Sequence, residues 1–215
     1  FFVRSKMISL TSGTAAAELG VGELGGKGYN LALCSERFPG YVPAAAAVPA
    51  ARYQEHIATI PGLAEEIEEI ERLSRSIGSG TVSPEMEAIA YSSNTSTNMS
   101  TSISEERFRA VRQAILSQPV CNEVMIGIIR FLQDLPRGAA VSCRSSATVE
   151  DGAKASYAGV FETFLNRRTA EEVADGILGC WASMWSDEVF EYRRVQHAML
   201  PDAGSGPSSS PTGPR

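Results

Sequence analysis

The chain has 215 residues, of which 43% are hydrophobic, so it is long enough for one domain with a buried core or for two small domains. Its net charge of -6 and acidic pI of about 5.1 disfavour a general nucleic-acid binder, which needs a basic face, but leave nucleotide binding open. No apolar run approaches the roughly 20 residues of a membrane helix, and we expect no membrane partner and a cytoplasmic location.

The four cysteines form no C-x-x-C pair, and their spacing matches no zinc site. We therefore interpret them as reduced core thiols of a cytosolic protein. The two histidines, His56 and His197, are far apart in the chain, and we interpret them as surface or helix residues without a catalytic role.

The first predicted helix follows a glycine-rich segment and covers about residues 27–38. Its predicted apolar face consists of four side chains, Leu24, Leu31, Cys34 and Phe38. The Pro39-Gly40 pair ends this helix, because proline cannot continue it. A second helix is predicted to start near Pro49, since proline suits a first helical turn.

Three more helices are predicted before residue 138. The first, 62–77, is amphipathic, with expected i,i+4 ion pairs on its wet face, Glu68–Arg72 and Glu71–Arg75. The second begins with a predicted capping box of Ser102 and Glu105 and buries a stripe of apolar residues, Phe108, Val111 and Ile115. The third covers about 121–133 and buries Val124, Ile128 and Phe131.

The pattern changes at Gly138. Strands are predicted over 139–147 and 157–166, with a polar loop between them, and two helices follow, the second capped by Ser186. Trp181 and Trp185 are expected in the core. These patterns predict an α+β fold with a helix-rich first subdomain over 8–137 and a smaller β-containing subdomain over 138–200. The Pro/Gly/Ser-rich residues 201–215 are predicted to be disordered.

Lys27 lies in the glycine-rich run G-V-G-E-L-G-G-K-G at 20–28. The run satisfies G-x-G-x-x-G but lacks the preceding strand of a dinucleotide fold, and it does not match a Walker A loop. Bare backbone amides, a helix start and an ammonium group together suit a phosphate. A flexible turn with a solvated lysine is an equally good interpretation of this segment alone.

Two further candidates lie in the β-containing part. Arg144 stands in an apolar strand, and a buried guanidinium needs an anionic partner, which is either a bound phosphate or the carboxylates of Glu150 and Asp151. Gly159 would let a ligand approach the backbone closely, and Thr163 offers a hydroxyl, although an ordinary hairpin strand explains both.

Taken together, the candidate segments resemble the ATP-binding domain of the phosphoenolpyruvate synthase, pyruvate phosphate dikinase and rifampicin phosphotransferase group. The resemblance covers roughly 8–197. The run G-G-K-G-Y-N-L at 25–31 resembles the family's G-G-K-x-x-N-L. The run C-R-S-S-A-T-V-E-D at 143–151 resembles V-R-S-S-A-T-x-E-D, and the run S-Y-A-G-V-F-E-T-F-L-N at 156–166 resembles S-F-A-G-x-x-x-T-x-L-N. The helix pair around 180–193 also matches.

The resemblance implies an ATP-grasp-like nucleotide domain, of which this chain is the front part. It implies that Lys27 and Arg144 hold ATP phosphates, that Gly159 and Thr163 contact the nucleotide, and that one cleft collects these residues. No catalytic residue and no metal ligand is assigned in this chain, because the family's Mg²⁺ ligands belong to the second half of its ATP domain. The family's V-P-x-G-F is here V-P-A-A-A at 42–46, which affects local packing.

The resemblance further implies a phosphotransferase that passes phosphate from ATP through a carrier histidine on another domain to pyruvate or another small acceptor. We expect a truncated, ATP-binding part that does not turn over ATP appreciably alone. The alternatives are a non-catalytic remnant or interaction module, and a rifampicin phosphotransferase-like or glucan dikinase-like member.

Overall fold

The computed structural model of the chain describes residues 7–10, 15–78, 103–146, 151–152, 155–156 and 161–199. The helices in these ranges are α1 Ala15–Arg37, α2 Ala50–Ala58, α3 Leu63–Gly78, α4 Glu105–Leu116, α5 Asn122–Gln133, α6 Ala170–Ser183 and α7 Asp187–Met199. The strands are β1 Ile8–Ser9, β2 Ala46–Ala47, β3 Val141–Arg144, β4 Asp151–Gly152, β5 Ala155–Ser156 and β6 Thr163–Arg167. The predictions for Gly159, Glu150 and residues 201–215 lie outside the described residues.

The described strands form antiparallel two-stranded ribbons, which pair β1 with β2, β3 with β6, and β4 with β5. In the β3–β6 ribbon, Cys143 lies opposite Phe164 and Arg144 lies opposite Thr163. The predicted α+β class is confirmed, as a helix-rich chain with small antiparallel sheets. In the described ranges, no helix is long and apolar enough to cross a membrane.

One core cluster is built around Phe108 on α4. Its ring meets Trp185 and Phe190 edge-on, at centroid distances of 5.0 and 5.4 Å. Val111 and Ile115 lie on the same stripe of α4 and are fully buried, as the sequence predicts. Ile70 of α3 packs into the same cluster, and Trp181 lies against it, so both tryptophans are core residues.

A second cluster joins α5 to α6 and supports the β3–β6 ribbon. Val124 and Ile128 of α5 pack with Val173 and Ile177 of α6, and Cys143 of β3 packs against them. Thr169 and Glu172 form a capping box at the start of α6, which fixes where this helix begins. The ribbon is therefore held by the helix on which it lies.

The predicted apolar face of α1 is wrong for two of its four residues. Cys34 and Phe38 are exposed, Phe38 by 58%. Leu24 and Ala32 are buried instead, in a small cluster with Leu10. After Gly25 the buried face of α1 consists of Gly28, Ala32 and Ser35, which leaves Cys34 on the exposed side. Phe38 lies beyond the end of the helix at Arg37.

Three other local predictions are corrected. The N-cap of α4 is Ser104, whose hydroxyl accepts from the Arg107 amide at 3.3 Å, and Ser102 lies outside the described residues. Arg72 pairs with Glu69, one turn earlier, rather than with Glu68. Glu71 pairs with Arg193 of α7 at 2.8 Å rather than with Arg75. The last pairing follows from the packing of α3 near α7, which local spacing does not reveal.

The interpretation of the cysteines as core thiols holds for only part of the set. Cys180 is buried and Cys143 is half-buried, whereas Cys34 and Cys121 are exposed; all four are free thiols. His56 is a buried helix residue, and its Nε2 lies 3.0 Å from the Ile115 carbonyl oxygen.

Candidate functional site

The β3–β6 ribbon presents one face to α6 and the other to solvent. Cys143 and Phe164 point towards α6 and lie over Gly176 and Gly179. A Cβ at Gly176 would come within 2.8 Å of the Cys143 sulfur, and one at Gly179 would overlap the Phe164 ring. Because side chains alternate along a strand, the next residue of β3, Arg144, lies on the outer face of the ribbon.

Arg144 is exposed, and so is Thr163, its cross-strand neighbour. Directly opposite residues of an antiparallel pair share one face, so the guanidinium and the hydroxyl stand beside each other. The prediction that Arg144 is buried in an apolar strand is wrong. The alternation of β3 turns Val141 and Cys143 inwards and Arg144 outwards, so solvent hydrates the guanidinium without an obligatory carboxylate partner.

Lys27 belongs to a turn that interrupts α1. Gly20 and Gly25 have left-handed φ angles of 68° and 66°, and helical geometry resumes after Gly25. Lys27 therefore lies in the first turn of a new helical stretch, where backbone amides have no partner within the helix. Such a helix start attracts anions, as the glycine-rich sequence predicts.

The turn lies against the residues that follow β3. The Ser146 hydroxyl accepts a hydrogen bond from the Gly28 amide at 2.9 Å and donates one to the Leu24 carbonyl at 2.8 Å. A Cβ at Gly25 would overlap the Ser146 carbonyl oxygen, so the backbones approach as closely as only glycine permits.

Lys27 Nζ donates to the Ser145 carbonyl oxygen at 3.4 Å, across 118 positions of sequence. Ser145 directly follows Arg144, so the lysine reaches the end of β3 at which Arg144 and Thr163 stand. These three predicted residues lie at one end of the ribbon. Gly159 lies outside the described residues, and a single cleft that collects all four stays a prediction.

A charge pair that the sequence analysis missed lies beside Thr163. Arg112 of α4 donates to Glu162 at 2.8 Å and so ties the start of β6 to the helical core. Glu162 is part of the E-T-F-L-N run, but Arg112 has the spacing of an ordinary solvated helix residue. No local signal in the sequence links the two.

The thiols near this region are not poised as nucleophiles. Burial raises the pKa of Cys180 to about 12, with Cys143 and Glu162 acting in the same direction and Lys27 against it. Burial also raises the pKa of Cys143, and the nearby Arg167 opposes this shift. Both thiols are therefore protonated at neutral pH.

The groups at the end of the ribbon are an ammonium, a guanidinium and a hydroxyl, all of which can donate hydrogen bonds. This donor set fits a polyphosphate, whose oxygens are acceptors and carry negative charge. Within the described ranges, no group of three His, Cys, Asp or Glu side chains could hold a metal ion. The arrangement supports anion binding rather than acid–base chemistry.

Residues 21–203 match the family described as the pyruvate phosphate dikinase AMP/ATP-binding domain. The chain belongs to this family. The match covers the Lys27 turn, the β3–β6 ribbon and both helices that follow it. The family resemblance drawn from the sequence motifs is thereby confirmed.

Several family relatives share this region. A phosphoenolpyruvate synthase of Pyrococcus furiosus is 29% identical over an alignment of 194 residues that covers 80% of this chain and 23% of that protein. A rifampicin phosphotransferase of a Streptomyces species is 30% identical over 177 residues, 82% of this chain and 18% of that protein. The prodigiosin synthesizing transferase PigC of Serratia marcescens is 36% identical over 89 residues, 41% of this chain and 10% of that protein. The chain thus spans less than a quarter of the length of these relatives.

Proposed function

We propose that this chain binds ATP through its phosphates and supplies the phosphate-holding part of a phosphotransferase. The observation that carries the proposal is the contact of Lys27 Nζ with the Ser145 carbonyl, which brings an ammonium to the residue next to the Arg144 guanidinium. Two cations from distant parts of the chain at one end of a ribbon are the arrangement that a polyphosphate needs.

The roles follow from the chemistry of the side chains. Arg144 offers a planar fork that matches two phosphate oxygens, whereas Lys27 acts as a compact charge that follows the phosphate chain. Thr163 adds a neutral donor, and Gly159, which lies outside the described residues, is proposed as a nucleotide contact on the family resemblance alone. Fixed cations of this kind stabilise the charge that develops on the phosphoryl group during transfer.

For the complete reaction, we propose that ATP phosphorylates a carrier histidine on another domain, which then passes the phosphate to a small acceptor. Relatives named phosphoenolpyruvate synthase and rifampicin phosphotransferase match this chain at nearly equal identity and coverage. The proposal therefore includes pyruvate and rifampicin as acceptors. Mg²⁺ is expected to accompany the ATP phosphates and neutralise part of their charge.

Calorimetric titration of Mg–ATP into the 215-residue chain tests the phosphate role. We expect binding that inorganic tripolyphosphate displaces and adenosine does not, because the two proposed cations, Lys27 and Arg144, contact phosphate oxygens. Lys27→Ala and Arg144→Ala should each weaken binding. Arg72→Ala is the matched control, since Arg72 is an exposed arginine paired with Glu69 on α3.

Two results would contradict the proposal. One is the absence of ATP binding to the unaltered chain at millimolar nucleotide. The other is binding that Lys27→Ala and Arg144→Ala leave unchanged relative to the Arg72→Ala control.

A further inference from the structure

We infer that Ser146 is a positioning residue for the phosphate site, because its hydroxyl determines where the Lys27 ammonium stands relative to Arg144. The inference rests on the proposed ATP-binding function and adds a residue that acts through Lys27 rather than on the nucleotide.

The Ser146 hydroxyl bridges the two ends of the turn that carries Lys27. It donates to the Leu24 carbonyl, before Gly25, and accepts from the Gly28 amide, after Lys27. One side-chain oxygen thus satisfies a backbone acceptor and a backbone donor four residues apart. Since both bonds span more than a hundred positions of sequence, they define the tertiary position of the turn and not only its local shape.

The backbone around Ser146 adds two more contacts of the same kind. The Ser146 carbonyl lies against Gly25 at a distance that admits no side chain. The carbonyl of Ser145 accepts from Lys27 Nζ. Ser145 and Ser146 therefore contact the turn at four points. These are the Leu24 carbonyl, the Gly28 amide, the Lys27 ammonium and the Gly25 α-carbon. Because Arg144 comes directly before them, the separation of the two cations depends on this short stretch.

The apolar packing of the turn is confined to one small cluster of three buried and six half-buried side chains. Leu24 is its buried anchor, and it belongs to a small cluster with Leu10 and Ala32. That cluster is separate from the one around Phe108, which includes α3, α4 and α7 residues. Loss of the Ser146 hydroxyl should therefore loosen the turn while the helical core stays folded.

The decisive experiment combines ATP affinity with amide hydrogen exchange in Ser146→Ala. We expect roughly three- to tenfold weaker ATP binding, the effect of one to two lost hydrogen bonds, and faster exchange of the Gly28 amide. Ser146→Thr keeps a hydroxyl and should restore both. Ser183→Ala is the matched control, because the Ser183 hydroxyl also donates to a backbone carbonyl, that of Cys180, at 2.8 Å.

A double-mutant cycle with Lys27 separates positioning from a merely structural role. If Ser146 acts through Lys27, Ser146→Ala should weaken ATP binding no further once Lys27 is alanine. An equal loss in both backgrounds would overturn the inference, and so would unchanged affinity in Ser146→Ala while the unaltered chain binds ATP.

Failure of the inference can be told apart from failure of the proposed function. If the unaltered chain binds no ATP, the function fails, and exchange at the Gly28 amide alone decides the role of Ser146. Faster exchange in Ser146→Ala with recovery in Ser146→Thr would support the positioning role. Unchanged exchange would overturn it.

Discussion

The core around Phe108 and the junction between the α1 turn and β3 are held together in different ways. In the core, fully buried rings meet at centroid distances of 5.0 and 5.4 Å. In the junction, which comprises residues 24–28 and 144–146, hydrogen bonds of 2.8 to 3.4 Å join half-buried or exposed groups. Apolar burial stabilises the fold but is non-directional, whereas hydrogen bonds fix the orientation of groups and contribute little net stability.

The proposed function accounts for this difference. Cations that bind phosphate must remain reachable from solvent, so burial cannot hold them in place. Lys27 and Arg144 are both exposed, and their geometry has to come from the backbone that carries them. Stability and phosphate geometry should therefore respond to different substitutions.

The largest loss of stability is expected for Phe108→Ala. Deletion of a fully buried ring removes apolar contacts and leaves a cavity, which costs about 3–5 kcal/mol of unfolding free energy. Urea denaturation followed by tryptophan fluorescence measures this, since Trp185 is a direct neighbour. Phe38→Ala is the control, because Phe38 is 58% exposed and should change stability by less than about 0.5 kcal/mol. Equal effects of the two changes would show that the core is misassigned.

The next largest effect is expected at Gly25. Gly20 and Gly25 share a left-handed φ with ψ near 180°, a conformation essentially restricted to glycine, so alanine at either position costs about 1–3 kcal/mol of backbone strain. At Gly25 the added Cβ also overlaps the Ser146 carbonyl, whereas at Gly20 it meets no atom within 4 Å.

Gly25→Ala should therefore lower stability more than Gly20→Ala and should also abolish ATP binding, because it pushes Lys27 away from Ser145. Chemical denaturation and ATP titration of both variants check this. If Gly20→Ala and Gly25→Ala weaken ATP binding equally, backbone strain rather than the Gly25–Ser146 contact would account for the loss.

A third expectation concerns Arg144→Ala, which should weaken ATP binding by about 1.5–3 kcal/mol, the range for a hydrogen bond to a charged group. The melting temperature of the free protein should hardly change, because the side chain is exposed. Lys27→Ala should likewise weaken ATP binding. Thermal melts with and without ATP measure both quantities. A lower melting temperature without ligand, with the ATP-induced shift intact, would make Arg144 a structural residue.

The smallest effect is expected at the capping box of α6, which belongs neither to the core around Phe108 nor to the junction. The Glu172 carboxylate accepts from the Arg168 and Thr169 amides at 2.7 and 3.2 Å, and these bonds lower its pKa, that from Arg168 most. A lowered folded-state pKa means that the stabilisation is present above the unfolded value of about 4.3 and is lost as pH falls through the folded value.

Glu172→Gln keeps an acceptor at this position but removes the titration. The unaltered chain should therefore lose more stability than Glu172→Gln between pH 7 and about pH 3, as urea denaturation at both pH values would measure. Parallel loss of stability in both proteins would mean that other carboxylates account for the acid sensitivity.

Much of the fold follows from local sequence. The apolar stripe of α4, with Phe108, Val111 and Ile115, predicts both the helix and its buried face. Pro49 correctly predicts the start of α2, and Ser186 correctly predicts the cap of α7, where its hydroxyl accepts from the Val189 amide at 3.3 Å. These features depend on residues within one or two turns, so periodicity and capping chemistry are sufficient to find them.

The candidate site was predictable to a lesser degree. The family that the motifs indicate is confirmed, whereas the assignment of Lys27, Arg144 and Thr163 as nucleotide contacts stays a prediction. The sequence placed Arg144 in the interior, however, because the run A-A-V-S-C before it is apolar over most of its length. A four-residue strand that rests on α6 through Val141 and Cys143 reverses that expectation.

By itself, the sequence determined most of the helices, the family and the chemical types at the candidate site, since these depend on short runs of residues. Only the tertiary structure decided that Arg144 faces solvent, that Glu71 pairs with Arg193, and that Ser146 holds the Lys27 turn. The physical reason is separation along the chain. A hydrogen bond between residues 118 positions apart depends on how helices and ribbon pack, and no local pattern encodes that distance.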